Sequence, residues 1–369
     1  MVINPPLILV SALFFLALSS VLYLASWLIT TAGLRILRGR ISHAATKRVL
    51  MTALTLPPVL AAVPTVGGAT FKHSHAMGGM EHHSMLCQQM FTSVFQTTSV
   101  NGNTAVGFVV NGWAWIMALA GISLLVRLFT ATISLERGLA PFLMAPTPKL
   151  SMALVLVAQR APYLQATKFY ECAIPASYSS VLGFFNARCV LSRQFVEEAT
   201  DDELVAVIAH EAAHMRSRDV LATFAVGALN CLFFAFRPVR LLARRWREAA
   251  ELACDDAAVA ATRNPLAMAS AILRASGAPV ANRPIARALP ATALAFADET
   301  ACAPSKRVER LIAQAKNATL PQPTEPPMQA LGAWAVTLLL AAIGVTVLVS
   351  AQAVCFAHCS LEAVAKLFP

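Results

Sequence analysis

The sequence predicts an α-helical integral membrane protein of about four spans, with an α+β domain on its cytoplasmic side. Three observations carry that reading. Of 369 residues, 57% are hydrophobic and only 13% charged, whereas a soluble globular chain carries about 25% charged residues. The apolar residues are gathered into runs long enough to cross about 30 Å of hydrocarbon, and the mean hydropathy of the chain is +0.63. One acid-led stretch with helical patterning, around residues 200–214, stands apart from those runs.

The first run, 7–34, is too long for the apolar core of a signal peptide, and no basic residue precedes it. The second, 49–66, carries Pro57, Pro58 and Pro64. Prolines are tolerated in a span when a neighbouring helix satisfies the carbonyls they free, so this run is read as a span. The third and fourth are 108–129 and 333–351. Arg35, Arg38, Arg40, Lys47 and Arg48 lie between the first two runs with no acid among them. Short cationic loops stay in the cytoplasm, which orients the chain. The net charge of +10 is read for this orientation and not for nucleic acid, since no nucleic-acid module motif appears.

The expected organisation follows. Residues 1–66 hold two spans with a basic cytoplasmic loop. Residues 67–107 form an extracytoplasmic loop and 108–134 the third span. Residues 141–328 are a cytoplasmic domain, 333–352 the fourth span, and 353–369 an extracytoplasmic tail. A further apolar run, 221–236, is short for a span and is followed by Arg237, Arg240, Arg244, Arg245 and Arg247. It reads as a helix on or dipping into the inner leaflet, or equally as a buried core helix. Cys172, Cys189, Cys231, Cys254 and Cys302 fall on the reducing side, and Cys87, Cys355 and Cys359 on the other. No CxxC pair occurs.

Within the inner domain, 150–166 has the pattern of an amphipathic helix, and 168–174 and 181–192 have strand character. Thr200 and Glu203 then form a capping box that opens a helix. Asp201, Asp202 and Glu203 suit its dipole, and Leu204, Val207, Ile208 and Ala212 give it a buried stripe. His210 and His214 lie on this helix one turn apart, with Glu211 after the first. Two imidazoles at i and i+4 share a face. That spacing holds a zinc ion, and the intervening carboxylate reaches the water beside it. Zinc lowers the pKa of such a water to about 7, and a carboxylate accepts its proton and passes it on to a leaving amine. The bland alternative is a helix with two surface histidines; a chance His-Glu-x-x-His in a chain this long has odds of roughly 1 in 100.

A catalytic zinc needs a third protein ligand. Glu248, Glu251 and Asp255 share a face of a helix over 245–261. Glu251 sits between Ala250 and Leu252, where an unpaired carboxylate is costly; Glu248 follows Trp246 and Arg247 and suits a solvated face. Glu251 is therefore the expected ligand, and Asp255, one turn on, is placed to orient a ligating histidine.

His210-Glu211-Ala212-Ala213-His214, then Arg218-Asp219, then Glu251-Leu252-Ala253-Cys254-Asp255 closely resemble the membrane antirepressor metallopeptidases of the BlaR/MecR type. More distantly they resemble the HtpX-type and CAAX prenyl proteases. Arg307-Val308-Glu309-Arg310-Leu311 also looks like a segment of that family. The resemblance implies a zincin-like metalloprotease domain in which Zn(2+) is held by His210, His214 and Glu251, Glu211 is the base, and Asp255 supports a ligand. It implies that 181–192 is the edge on which a substrate backbone would lie by strand addition. It also implies a cytoplasmic winged-helix repressor, or the chain itself, as substrate. The beta-lactam receptors of that family carry a penicillin-binding domain after the last span. Only Cys355 to Pro369 follow it here, so beta-lactam sensing is not expected.

The expected signal lies elsewhere. The outer loop holds His73, His75, Met77, Met80, His82, His83, Met85 and Cys87, and the tail Cys355, His358 and Cys359. Thioether, thiolate and imidazole together suit copper(I), or zinc with a different subset; the alternative is a polar loop with a disulfide. The leading expectation is thus a membrane-embedded zinc endopeptidase that converts an extracytoplasmic signal into cleavage of a cytoplasmic protein. Its alternatives are a housekeeping protease for membrane proteins and a metal receptor that binds a partner without cutting it. The group that steadies a tetrahedral intermediate is open among Tyr163, Tyr170, Tyr178 and Arg307.

Overall fold

The computed structural model describes residues 5–37, 40–70, 103–162, 168–173, 179–183, 187–276 and 304–317. Long helices stand at the first three predicted spans: α1 (Pro5–Ile36), α2 (His43–Thr70) and α3 (Asn103–Leu139). The predicted fourth span, 333–352, lies outside the described residues. Among the described residues, one helical stretch, Leu119–Phe142, is long and apolar enough to cross a bilayer, with a mean hydropathy of 1.5 over its 18-residue apolar window. Large apolar side chains face outward along α1 (Val21, Leu24 and Leu28) and α3 (Ile116, Leu119 and Val126), and Val59 does so on α2. Water would penalise so continuous an apolar surface, and lipid would not.

Helix α2 runs unbroken through Pro57 and Pro58. Each proline lacks the N–H that would bond the carbonyl four residues earlier, so Ala53 and Leu54 lose their intrahelical donors. Helix α1 supplies replacements. The Ser26 hydroxyl donates to the Ala53 carbonyl at 3.0 Å, and the Tyr23 hydroxyl to the Leu54 carbonyl at 2.7 Å. All four residues are buried. The α1–α2 pairing therefore follows from the Pro-Pro step.

The domain begins with a short 3-10 turn (Ala140–Phe142) and β1 (Leu143–Met144), then α4 (Pro148–Arg160). Thr147 caps α4, and its backbone N–H and hydroxyl both donate to the buried Glu171 carboxylate, tying the cap to the sheet. Three strands follow: β2 (Phe169–Cys172), β3 (Ser179–Leu182) and β4 (Arg188–Ser192). The sheet order is β1-β2-β4-β3, with β2 and β4 parallel and the two outer pairs antiparallel.

The single strand expected over 181–192 is therefore two strands. The chain turns at Gly183, whose φ of 93° is open to glycine and strained for other residues, and β4 returns antiparallel to β3. The expected edge shifts with it, because β4 is paired on both sides and, among the described residues, β3 is an edge strand, with β1 at the other end of the sheet.

Helix α5 (Arg193–Glu198) leads into α6 (Asp201–Arg216), which opens with the capping box: Thr200 Oγ1 accepts from the Glu203 N–H, and Glu203 accepts from the Thr200 N–H. Buried Glu203 is also bound by Ser270 and Arg274 of α9 (Pro265–Ser276). After an abrupt turn with Arg218 in the left-handed region, α7 (Asp219–Leu232) begins. It stands against α3, where Gly227 faces Leu128 and Phe224 meets Phe129. The apolar run read either as an inner-leaflet helix or as a buried core helix is a helix packed on α3, and its inner face joins the α1–α2 core.

Helix α8 (Arg237–Thr262) begins eight residues before the helix expected from the sequence. Its first half carries Val239, Leu242 and Trp246 into a core with Tyr23, Leu50 and Leu54. Its second half carries Cys254, Ala258 and Val259 into the domain core with Leu204, Ile208 and Phe195. Helix α10 (Pro304–Lys316) packs on α9, with Leu311 buried in the same core.

Replacing Tyr23 by Phe and Ser26 by Ala together leaves two buried carbonyls without donors. We expect a loss of about 0.5–1.5 kcal/mol for each bond, read as a lowered thermal unfolding midpoint of the detergent-solubilised protein.

Candidate metal centre

The middle of α6 faces the middle of α8. The capping box fixes where α6 starts, and the buried stripe that includes Leu204 and Ile208 fixes its rotation, so His210 and His214 turn toward α8. Their rings meet edge to face, with Nε2 atoms 3.1 Å apart. Glu251 of α8 completes a triangle, its Oε2 lying 3.7 Å from His210 Nε2 and its Oε1 3.6 Å from His214 Nε2. The three groups expected as ligands are thus together.

The residues fit a zinc ion on their own geometry. Metal–nitrogen and metal–oxygen bonds near 2.0–2.1 Å in a tetrahedron put ligand atoms about 3.3 Å apart, near the 3.1 Å between the imidazole nitrogens and the 3.6–3.7 Å from them to one or other Glu251 oxygen. Two imidazole lone pairs aimed at one another repel, and a cation between them turns the repulsion into coordination. The far ring nitrogens settle which nitrogen faces the site. His214 Nδ1 is 2.8 Å from Asp219 Oδ2, and His210 Nδ1 is 3.2 Å from Asp255 Oδ1, the latter an ion-pair contact more than an aligned hydrogen bond. Carboxylates behind both rings hold the Nδ1–H tautomer and leave Nε2 as the donor to metal.

These carboxylates are themselves held. Asp255 has no exposed surface. Arg307 of α10 binds it through two nitrogens, at 2.6 and 2.9 Å, and reaches Glu251 Oε2 at 2.8 Å. Burial alone would raise the Asp255 carboxyl, but His210 and Arg307 hold it far below the usual carboxylate range. The same balance lowers Glu251, where burial is outweighed by His214, Arg307 and His210. Burial is likewise outweighed at Asp219, by His214 and by Lys47 of α2.

Glu211 is buried, and its Oε1 accepts from the Ser179 hydroxyl at 2.6 Å. That leaves Oε2 able to accept a proton. Ser179 lies on β3, so this strand touches the candidate base.

Sequence reasoning missed Asp219 and Ser179 as site residues. Asp219 entered only as part of a resemblance, because it follows a left-handed Arg218 where helical spacing no longer places side chains. Ser179 carries no local signal. Arg307 binds both carboxylates and so organises the ligands. Tyr170 is on β2, two strands from the β3 edge. Tyr163 and Tyr178 lie outside the described residues, as do His73, His75, Met77, Met80, His82, His83, Met85, Cys87, Cys355, His358 and Cys359. The expected copper site is therefore not described. The four described cysteines, Cys172, Cys189, Cys231 and Cys254, are free thiols. Glu248 pairs with Arg244 on an exposed face.

Such a helix pair, with ligands from both and a strand edge beside the base, is a metallopeptidase arrangement. Residues 175–298 match the family described as BlaR1 peptidase M56. The chain is also 30% identical over 115 residues to the plastoglobule-localized metallopeptidase 48, chloroplastic, of Arabidopsis thaliana, covering 29% of this chain and 33% of that protein. The chain thus spans about a third of the length of the curated relative it matches. These similarities support a membrane-associated metallopeptidase domain.

Asp255→Ala removes the carboxylate behind His210 and leaves Arg307 facing Glu251 alone. Zinc affinity, measured by chelator competition, should fall about 10–100-fold.

Proposed function

We propose that this chain is a membrane-embedded zinc endopeptidase of four spans, with its domain in the cytoplasm. In this reading His210, His214 and Glu251 hold the metal and Glu211 is the general base. The observation that carries it is the triangle of two Nε2 atoms and one carboxylate, 3.1–3.7 Å on a side. Bound zinc would supply Lewis acidity, acidifying a water and polarising a carbonyl.

The protein's own groups do the rest. Glu211 accepts the proton of the attacking water and delivers it to the leaving amine. Ser179 holds one oxygen of that carboxylate so that the other faces the reaction. Among the described residues β3 pairs on one side only, and its other side would receive an extended substrate segment. Arg307 keeps Glu251 and Asp255 ionised and in place. Asp219 and Asp255 hold the imidazoles, so that no ring must reorient during turnover.

The substrate would be a cytoplasmic transcriptional repressor of winged-helix type, or the chain itself. The input would come from the extracytoplasmic His/Met-rich segment, an assignment that rests on composition alone. A receptor that binds its partner without cutting it is separated from this reading by one substitution. Glu211→Gln should keep zinc at stoichiometric occupancy while endopeptidase turnover, followed by gel and mass spectrometry, falls about 10²–10⁴-fold. Full turnover in that variant would overturn the assignment.

A further inference from the structure

Helix α2 reaches the metal-ligand cluster from outside the segment that matches the peptidase family. His43 and Lys47 lie one turn apart at its inner end and share a face. Lys47 Nζ is 2.5 Å from Asp219 Oδ1, with the two side chains 13% and 5% exposed. The other oxygen of the same carboxylate is the one at 2.8 Å from His214 Nδ1. The second arm runs alongside. His43 Nδ1 is 2.7 Å from Asp256 Oδ2, and Arg310 Nη1 is 2.8 Å from Asp256 Oδ1. Asp256 adjoins Asp255, which backs His210.

A carboxylate held on one oxygen alone can swing about its Cβ–Cγ bond. Held on both, by the Lys47 ion pair on Oδ1 and the His214 contact on Oδ2, and away from water, it is restrained. Asp219 needs this restraint, because it opens α7 straight after the left-handed Arg218. Its own backbone therefore does not dictate where its carboxylate points. The ring of His214 takes its orientation from that carboxylate, and the direction of Nε2 follows.

We propose that Lys47 is a positioning residue for the metal centre: by fixing one oxygen of Asp219 it sets the other on His214, which makes the placement of a zinc ligand depend on where α2 stands. This rests on the metallopeptidase reading above. A slide of α2 by one residue's rise, about 1.5 Å, is enough to carry the ammonium to the limit of ion-pair contact. The helix that pairs with α1 through the Ala53 and Leu54 carbonyls is thereby the element through which movement in the membrane reaches the peptidase site.

The test uses the full chain in nanodiscs, stripped of metal and titrated with Zn²⁺ against a chelator, and with Co²⁺ for its d–d spectrum. Lys47→Met should weaken zinc binding about tenfold or more and shift the cobalt bands, while Lys47→Arg restores both. Arg48→Met, which removes the same charge from the next residue, should change neither. In an Asp219→Asn background, Lys47→Met should add less than about twofold, because the two act as one unit. Should Lys47→Met not fold, Lys47→Gln is put through the same cycle with the same expectations. Wild-type affinity and spectrum in the Lys47 variant, or an undiminished effect in the Asp219→Asn background, would overturn the proposal alone. An unaltered chain that takes up no zinc would instead overturn the metallopeptidase reading beneath it.

Discussion

Asp255 is cut off from water, and a carboxylate there must be met by cations or surrender its charge. Arg307 and His210 meet it. Because they come from α10 and α6 while Asp255 belongs to α8, one buried charge fastens three helices that are far apart in sequence. The same fastening places Glu251, a turn earlier on α8, opposite the histidine pair. The site is therefore not a decoration on a finished fold. Breaking the ion pairs would strand charges in the interior, and the helix packing and the ligand geometry would go together.

Much of this was legible, and for local reasons. The capping box, the i,i+4 histidines and the apolar flanks of Glu251 each obey a rule that operates within one turn of helix, and the structure shows the capping box closed and these three groups adjacent. Other features obey no such rule. The β3–β4 reversal was hidden because apolar character runs across residues 181–192 and only Gly183 marks the break. Lys47 read as one more positive charge in a cytoplasmic loop, since nothing near it announces a carboxylate 172 positions further along at Asp219. Ser179 and Glu211 are brought together by sheet-on-helix packing, which short-range patterning does not encode.

Helix α8 shows how a chain with few charges serves two environments. Its first half presents Arg237, Arg240 and Arg244 outward and buries Trp246 against α1 and α2, with Arg245 bonded to Thr31 of α1. Its second half carries Glu251, Asp255 and Asp256 and belongs to the domain core. A continuous helix of 26 residues transmits rotation and tilt along its length as a flexible linker would not. One continuous helix thus runs from one core into the other.

The Pro57–Pro58 step has a mechanical corollary. Two successive carbonyls of α2 accept from two α1 side chains three positions apart, which is a key with only one seating. A slip of one residue along the hairpin would empty both contacts at once, in a region with no solvent to refill them. The two helices are therefore locked against shear and can travel only in concert, so that a load applied to the first is delivered undivided to the foot of the second.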